Sequence, residues 1–391
     1  MAKKKGKAQG LVLGKEKEPA AKEPRALRGK KGKKRGRDAE EDDAPEESEA
    51  AGAAAGSSSE PPPPAPWQSD YSMSDLEAAL RWLLWPMTPQ TFFQEYWEKK
   101  PLHLKRDRPR YYHGLFTKKD LDAAISAGNV RYGERLNLVR YNAAKGEKED
   151  LNKGRGVAAS REVDEAWASG ASCQVLHPQQ FHYPVRQFLA SLERSFSALF
   201  GANAYLTPPG HQGLAPHYDD VEVFFLQLEG SKSWRLCEPP EDEEYPLPRS
   251  YSRDFQPSQL GSVLLECELT AGDLLYFPRG TVHCGVAQGQ DFSNHLTVST
   301  YQRTTWQQVL EKALAGALER AAAEVDFRSG LPVNFLHSMG SFHELGASED
   351  QGPTPRTRFL ERFENLLERL KDYVDLDEVC DEMGVDFMEQ R

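Results

Sequence analysis

Between Ala202 and Tyr301 the chain breaks into short runs rich in β-branched and aromatic residues, each closed by glycine, proline or a polar turn. They read "NAYLT", "VEVFFLQL", "SWRLC", "SVLLECEL", "DLLYFP" and "HLTVSTY". A parallel sheet needs crossover connections of about a dozen residues or more, commonly helical, and this region shows no βαβ alternation. The pattern therefore predicts an antiparallel sandwich or barrel. Two of the runs carry charge where such a core wants none. "PHYDDVEVFFLQLEG" sets His217, Asp219, Asp220 and Glu222 at the mouth of the most apolar segment of the chain. Burying these groups costs stability unless something compensates them, and a bound cation is one compensation.

Alternate residues of a strand point to one side, so His217 and Asp219 can hold one ion while Tyr218 points away. On the same reasoning Asp220 and Glu222 belong to the opposite face and stay outside the ligand set. A third ligand is expected from a neighbouring strand. "GDLLYFPRGTVH" supplies His283 just beyond a Pro-Arg-Gly turn. His295, in "NHLTVSTY", is its rival; it lacks the preceding turn and reads as a residue of the barrel interior. His211, in a loop before Gly213, reads as structural. Two histidines and one carboxylate leave about three positions of an octahedral ion open, the arrangement used by non-haem Fe(II) oxygenases. Zinc more often recruits a third histidine or a thiolate. If the co-substrate is 2-oxoglutarate, its far carboxylate needs a fixed cation. Lys232 in "LEGSKSW" is placed to be that cation, and Tyr205 in "NAYLTPPG" could add a hydroxyl.

The flanks read as helical. "SDLEAALRWLLWP" opens on a Ser74/Glu77 capping-box pattern. "TPQTFFQEYWEKKP" has Thr88 as cap and Pro89 at the first helical position, and a short helix follows Thr117. A longer helix is expected over 184–200, with Val185, Phe188, Leu189, Leu192, Phe196 and Leu199 on one face and Gly201 after its end. Beyond Tyr301, segments 304–325 and 356–374 carry apolar stripes that include Leu310, Ala313, Leu314 and Ala317, then Leu360, Phe363, Leu367 and Leu370. These stripes are expected to bury themselves in a homodimer.

The N-terminus has another texture. Residues 1–37 hold fifteen lysines and arginines against three acids, and residues 38–60 hold nine acids and no base. With the net charge of -11, this leaves about -14 on residues 61–391. Residues 1–66 are too polar to bury a core and are expected to be disordered. The basic run reads as a nuclear or nucleolar address. The adjoining acids would repel nucleic acid, so no direct sequence-specific contact with it is expected. "GLVLG" is too short for a signal-peptide core, and no run reaches membrane-spanning length, so no membrane partner is expected. Five scattered cysteines without a C-x-x-C pair fit a reducing compartment.

The spacing G, five residues, P-x-G, two residues, H matches the second motif of the cupin superfamily, and "HYDDVE" with its following glycine resembles the first. Together "PHYDDVEVFFLQLEGSKSWRL", "GDLLYFPRGTVH" and "HLTVSTYQRTTW" resemble the Jumonji-C ribosomal oxygenases of eukaryotes. The resemblance runs from about Leu76 to Leu345, and "FRSGLPVNFLHSMG" is similar to the nucleolar branch. It implies a mainly β core, a double-stranded β-helix (jelly roll, cupin-like) flanked by helices, with a C-terminal helical dimerisation segment. It implies Fe(II) on His217, Asp219 and His283, and 2-oxoglutarate on Lys232. It also implies histidyl-hydroxylation of a ribosomal protein, or demethylation of N-methyl-lysine on a histone tail in a chromatin-regulating role. The expected organisation is a tail over 1–66, a helical part of the catalytic domain over 67–170, the β-helix over 171–303 and the dimerisation segment over 304–391. The family's winged helix is then expected to be missing after Arg391. From another class, a catalytically silent cupin serving as a nuclear scaffold would keep the fold without the chemistry.

Overall fold

The structure, a computed structural model, describes residues 61–67, 75, 77–152, 154, 156–302, 304–340 and 353–391. The expected basic and acidic runs, and Ser74 of the first capping box, lie outside these residues. Ala65 is already buried in the main core, so packing begins just before Trp67.

Eleven strands are found among the described residues: β1 Leu102–Leu104, β2 Leu136–Asn142, β3 Glu147–Asp150, β4 Ser172–Leu176, β5 Phe200–Thr207, β6 Glu222–Glu229, β7 Ser231–Cys237, β8 Val263–Thr270, β9 Leu274–Phe277, β10 Val282–Gln288 and β11 Ser293–Thr300. They form an eight-stranded sheet of order β1-β9-β6-β11-β5-β4-β2-β3 and a three-stranded sheet of order β10-β7-β8. Each pairing of neighbours is antiparallel. The expected antiparallel jelly roll of the cupin type is thus borne out. β6 shows why "VEVFFLQL" is almost continuously apolar: the strand is covered on both faces. Phe224 enters the core on the helical side, and Phe225 packs between the sheets with Trp234, Leu236 and Phe277. β1 to β4 escaped the sequence reading. β2 and β3 are half-exposed strands with polar or charged residues along them, so they offer no apolar run to notice.

On the outer face of the large sheet lie α1 Ala78–Leu84, α2 Pro89–Glu95, α3 Lys118–Ser126, α4 Ser160–Ala168 and α5 Tyr183–Phe196. Thr88 caps α2 by accepting from the Thr91 amide, with Pro89 in the first turn, as expected. Thr117 and Asp120 form a reciprocal capping box at α3. α5 stops earlier than its apolar spacing predicts. Ser197 turns left-handed at φ 51° and ends the helix. Leu199 therefore lies in the connection, and Gly201 is a strand residue paired with Ser299.

After the barrel come α6 Trp306–Ala321, α7 Val325–Arg328, α8 Pro355–Leu370 and α9 Leu376–Gln390. The two expected stripes divide. Ala313, Ala317, Ala321 and Leu370 are buried within the chain, the last three in one cluster with Phe327, Tyr373 and Val374. Leu310, Leu314, Leu318, Leu360, Phe363 and Leu367 stay 39–56% exposed. In α6 the alanines do the intrachain packing, against Leu370 of α8, and the leucines of α6 face outward.

Phe188 of α5 meets Trp67 and Trp82 at ring-centroid distances of 5.8 and 5.3 Å and is wholly buried. Phe188→Ala should lower stability by about 3–5 kcal/mol, because the cavity it leaves is walled by rigid rings. Urea unfolding followed by tryptophan fluorescence measures this.

Candidate metal centre and cavity

His217 and His283 face one another as an isolated antiparallel bridge joining the ends of the two sheets. The His283 amide donates to the His217 carbonyl at 2.9 Å, and the return bond is 3.5 Å. Asp219 lies in the bend before β6, and its carbonyl accepts from the Gly280 amide at 2.9 Å. His217 and Asp219 are therefore not alternate residues of a regular strand, contrary to the expectation. Both residues precede the strand, and the bridge with the Pro-Arg-Gly turn, not the pleat, brings the three side chains together. One ligand atom from each of His217, Asp219 and His283 lies within 4.8 Å of the others. His217 Nε2 is 4.0 Å from Asp219 Oδ1, and His283 Nε2 is 3.8 Å from Asp219 Oδ2.

Each imidazole is oriented by its other nitrogen. His217 Nδ1 lies 2.8 Å from the Ala215 carbonyl, and His283 Nδ1 lies 3.2 Å from that of Thr281. A carbonyl can only accept, so Nδ1 carries the proton and Nε2 keeps a free lone pair for a cation. Burial, and then His217, lower the pKa of His283 to about 4, so its ring is neutral near pH 7.

The remaining acids of "HYDDVE" are accounted for separately, as the sequence placed them. Asp220 accepts from Gln302 Nε2 at 3.1 Å. Glu222 is fully buried and accepts from Arg279 Nη1 at 2.9 Å and from the Tyr276 hydroxyl. Burial pushes its carboxyl up to about 7. His295 stays out of the triad. It is buried, stacks on Tyr205 at 5.0 Å, and is held well below its ordinary pKa by burial and then by Lys232. His211 sits in its loop with Nδ1 2.8 Å from the Pro209 carbonyl, and its own carbonyl accepts from the Ala287 amide.

The triad opens into a cavity of about 430 Å³ that is also lined by Tyr205, Lys232, Trp234, His295 and Thr297. Lys232 is buried with Nζ 4.6 Å from the centroid of the Trp234 ring. Among the described residues no carboxylate lies within ion-pair distance of it. Burial lowers its pKa from 10.5 to about 7. The Tyr205 hydroxyl accepts from Gln174 Nε2 at 3.1 Å, and burial raises its pKa to about 12. Trp234 Nε1, His295 Nδ1 and Thr297 Oγ1 are buried without a hydrogen-bond partner. Buried polar atoms normally have partners, so a cavity edged by several orphans and an unpaired ammonium is shaped for a polar, anionic guest. Oxygen and imidazole donors with an adjacent anion pocket fit Fe(II) together with 2-oxoglutarate. Thr297 and Trp234 were missed as cavity residues in the sequence. The polar alternation His295, Thr297, Ser299 along an otherwise buried strand was the signal for the first.

Residues 174–309 match the JmjC domain family. The chain is 42% identical over 310 residues to ribosomal oxygenase 1 of Gallus gallus, covering 79% of this chain and 50% of that protein. It is 38% identical over 318 residues to the bifunctional lysine-specific demethylase and histidyl-hydroxylase NO66 of Branchiostoma floridae, covering 81% and 47%. It thus spans about half the length of these curated relatives. A structure of YcfD, a ribosomal oxygenase from Escherichia coli in complex with cobalt and 2-oxoglutarate, overlaps at 16% identity and a TM-score of 0.45. It covers 77% of this chain and 71% of that one.

Purified protein should bind one Fe(II) or Mn(II) per chain. His283→Ala should weaken binding by more than about a hundredfold, beyond the roughly 10–100-fold lost with a merely orienting partner. His295→Ala should leave the metal content near normal. Metal analysis after gel filtration distinguishes the two, and an exchange of outcomes would make His295 the third ligand.

Proposed function

The chain belongs to the JmjC ribosomal oxygenase family, and from that premise we propose that it is an Fe(II)- and 2-oxoglutarate-dependent oxygenase that hydroxylates a side chain of a ribosomal protein, most simply histidine. One observation carries the reading: the His217, Asp219 and His283 cluster shares its cavity with a buried lysine that has no acid of its own. His217, Asp219 and His283 would hold the iron, with the Ala215 and Thr281 carbonyls fixing the two rings. Lys232 would pair with the far carboxylate of 2-oxoglutarate, and Tyr205 would add its hydroxyl. Trp234 and Phe225 wall the cavity, keep water from the ammonium and so strengthen its pull on that carboxylate. Bound Fe(II) with 2-oxoglutarate supplies oxidative decarboxylation coupled to oxygen insertion.

A silent scaffold is disfavoured by the same lysine. An unpaired buried ammonium costs stability and gains nothing unless an anion joins it. Lysine demethylation on a histone tail remains the second reading, supported by the name of the Branchiostoma floridae relative. The charge of about -14 on residues 61–391 favours a basic polypeptide as substrate over bare nucleic acid. The basic arm supports a nuclear and nucleolar location. The outward-facing leucines and Phe363 of α6 and α8 support a homodimer built through residues 304–391, beside a catalytic part made of 67–170 and 171–303 and a tail of 1–66. Among the described residues no helix is long and apolar enough to cross a membrane.

The deciding experiment incubates basic ribosomal-protein and methylated histone peptides with protein, Fe(II) and 2-oxoglutarate, then reads them by mass spectrometry. Gain of one oxygen on histidine supports the proposal. Loss of a methyl group from lysine supports the second reading, and no product with any peptide, alongside no succinate, supports the scaffold.

Lys232→Ala should raise the 2-oxoglutarate requirement about a hundredfold or more while sparing metal content, since one charge of a desolvated pair costs about 3–5 kcal/mol when left alone. The pH dependence has a definite sign. In the empty cavity Lys232 is protonated below about 7 and neutral above it, whereas the pair with a carboxylate requires the ammonium. Affinity should therefore be flat below pH 7 and fall by up to about tenfold per pH unit above it. Lys232→Arg should flatten that fall, because a guanidinium stays charged. Succinate release against 2-oxoglutarate concentration across this range measures both effects.

Light scattering at micromolar concentration should report a dimer for the wild type, and Leu314→Glu with Phe363→Glu should shift it to monomer. A monomeric wild type would remove the dimer from the proposal.

A further inference from the structure

Glu222 and Arg279 take no part in the cluster of metal-ligating atoms, yet both are buried where the chain passes from one sheet to the other. The β6–β9 ladder ends at Val223 opposite Phe277. Beyond it, Pro278, Arg279 and Gly280 carry the chain out of the large sheet and into β10, where His283 sits. No strand ladder fixes this crossing, so its angle must be set by other contacts.

The contacts are concentrated on one side chain. Glu222 accepts from the Arg279 amide at 3.3 Å, from Arg279 Nη1 at 2.9 Å, and from the Tyr276 hydroxyl. Arg279 Nη2 reaches Glu98 Oε1 at 2.8 Å, and the Glu98 amide donates to the Tyr276 hydroxyl at 2.8 Å. One residue along, the Gly280 amide holds the Asp219 carbonyl. The ties across the gap thus run from the Arg-Gly pair of the turn to Asp219, a member of the triad, and to Glu222 three residues later.

We propose that Glu222 and Arg279 are positioning residues: their buried pair locks the Pro278–Gly280 turn, and with it His283, at the angle that meets His217 and Asp219. This inference rests on the metal reading of the triad. A buried ion pair contributes little net stability, and apolar replacements of similar volume are often tolerated. Apolar contacts, however, have no preferred direction and let a turn slide, whereas a guanidinium bonded to two carboxylates fixes both distance and angle. The pair therefore acts on ligand geometry more than on the survival of the fold.

The test is Mn(II) binding, followed by the spin-resonance signal of the free ion, beside thermal melting of the metal-free protein. The variants are Glu222→Gln, Arg279→Lys and the double Glu222→Leu with Arg279→Met. The double variant should melt within a few degrees of wild type and bind Mn(II) at least about tenfold more weakly, the scale on which supports of metal ligands act. Arg279→Lys should fall between, keeping the charge and losing the fork. A double variant that folds and binds Mn(II) within about twofold of wild type overturns the proposal. So does a double variant that fails to fold while both single variants bind like wild type. If the double fails and the singles lose affinity, the proposal stands on them. Wild-type protein that ignores Mn(II) would instead overturn the metal reading itself.

Discussion

The backbone bridge between His217 and His283 is the contact on which the rest of the site depends. A jelly roll is two sheets facing each other, and its open end would leave strand termini with unpaired amides and carbonyls. Here the two termini satisfy one another, and the residues that do so carry the imidazoles. Closing the barrel and assembling the ligand set are one event. A change that opens this end of the barrel must also separate His217 from His283.

The cavity below the bridge uses burial in the opposite way to the core. Around Phe225, Trp234 and Leu236 burial removes water from apolar surface and stabilises the fold. Applied to Lys232, His283 and His295, the same dryness pushes pKa values down and makes each group a poor cation in isolation. The fold thus stores a penalty that a metal ion and a dicarboxylate would relieve. Other buried charges own protein partners, Glu222 with Arg279 and Asp273 with the Arg106 amide, whereas Lys232 has no carboxylate within ion-pair distance among the described residues.

Much of this was legible in the sequence because the decisive signals are short and local. A proline, a glycine and a histidine at fixed spacing specify a turn and the strand after it, and "VEVFFLQL" reads as a strand among short β-rich runs. What escaped depended on contacts distant in sequence. β3 is charged and mostly exposed, so neither burial nor periodicity marks it, and β2 carries its buried Leu136, Leu138 and Val139 in a run too short to stand out among polar neighbours. The end of α5 was misplaced because Leu199 happened to continue the helical spacing, while the left-handed turn at Ser197 has no distinctive residue type. The division in α6, alanines inside and leucines outside, became visible only with the partner helix in place. The ligand triad was found for a partly wrong reason: the motif spacing held, but the pleat invoked to align His217 with Asp219 is not present there.

The acids of "HYDDVE" show how one crowded stretch tolerates its charge. Each carboxylate meets a different kind of compensation. Asp220 accepts from the amide of Gln302. Asp219, at the cavity edge, lies between two imidazoles, where a bound cation would compensate it. Glu222, with no exposed surface, is given an arginine, a tyrosine hydroxyl and a backbone amide. The desolvation cost is greatest for the fully buried Glu222, and its partners are permanent. A carboxylate that is to hold a metal cannot own a fixed arginine, because the arginine would compete with the ion. Arg279 is committed to Glu98 and Glu222, and the ion-pair contacts of Asp219 among the described residues are the two imidazoles.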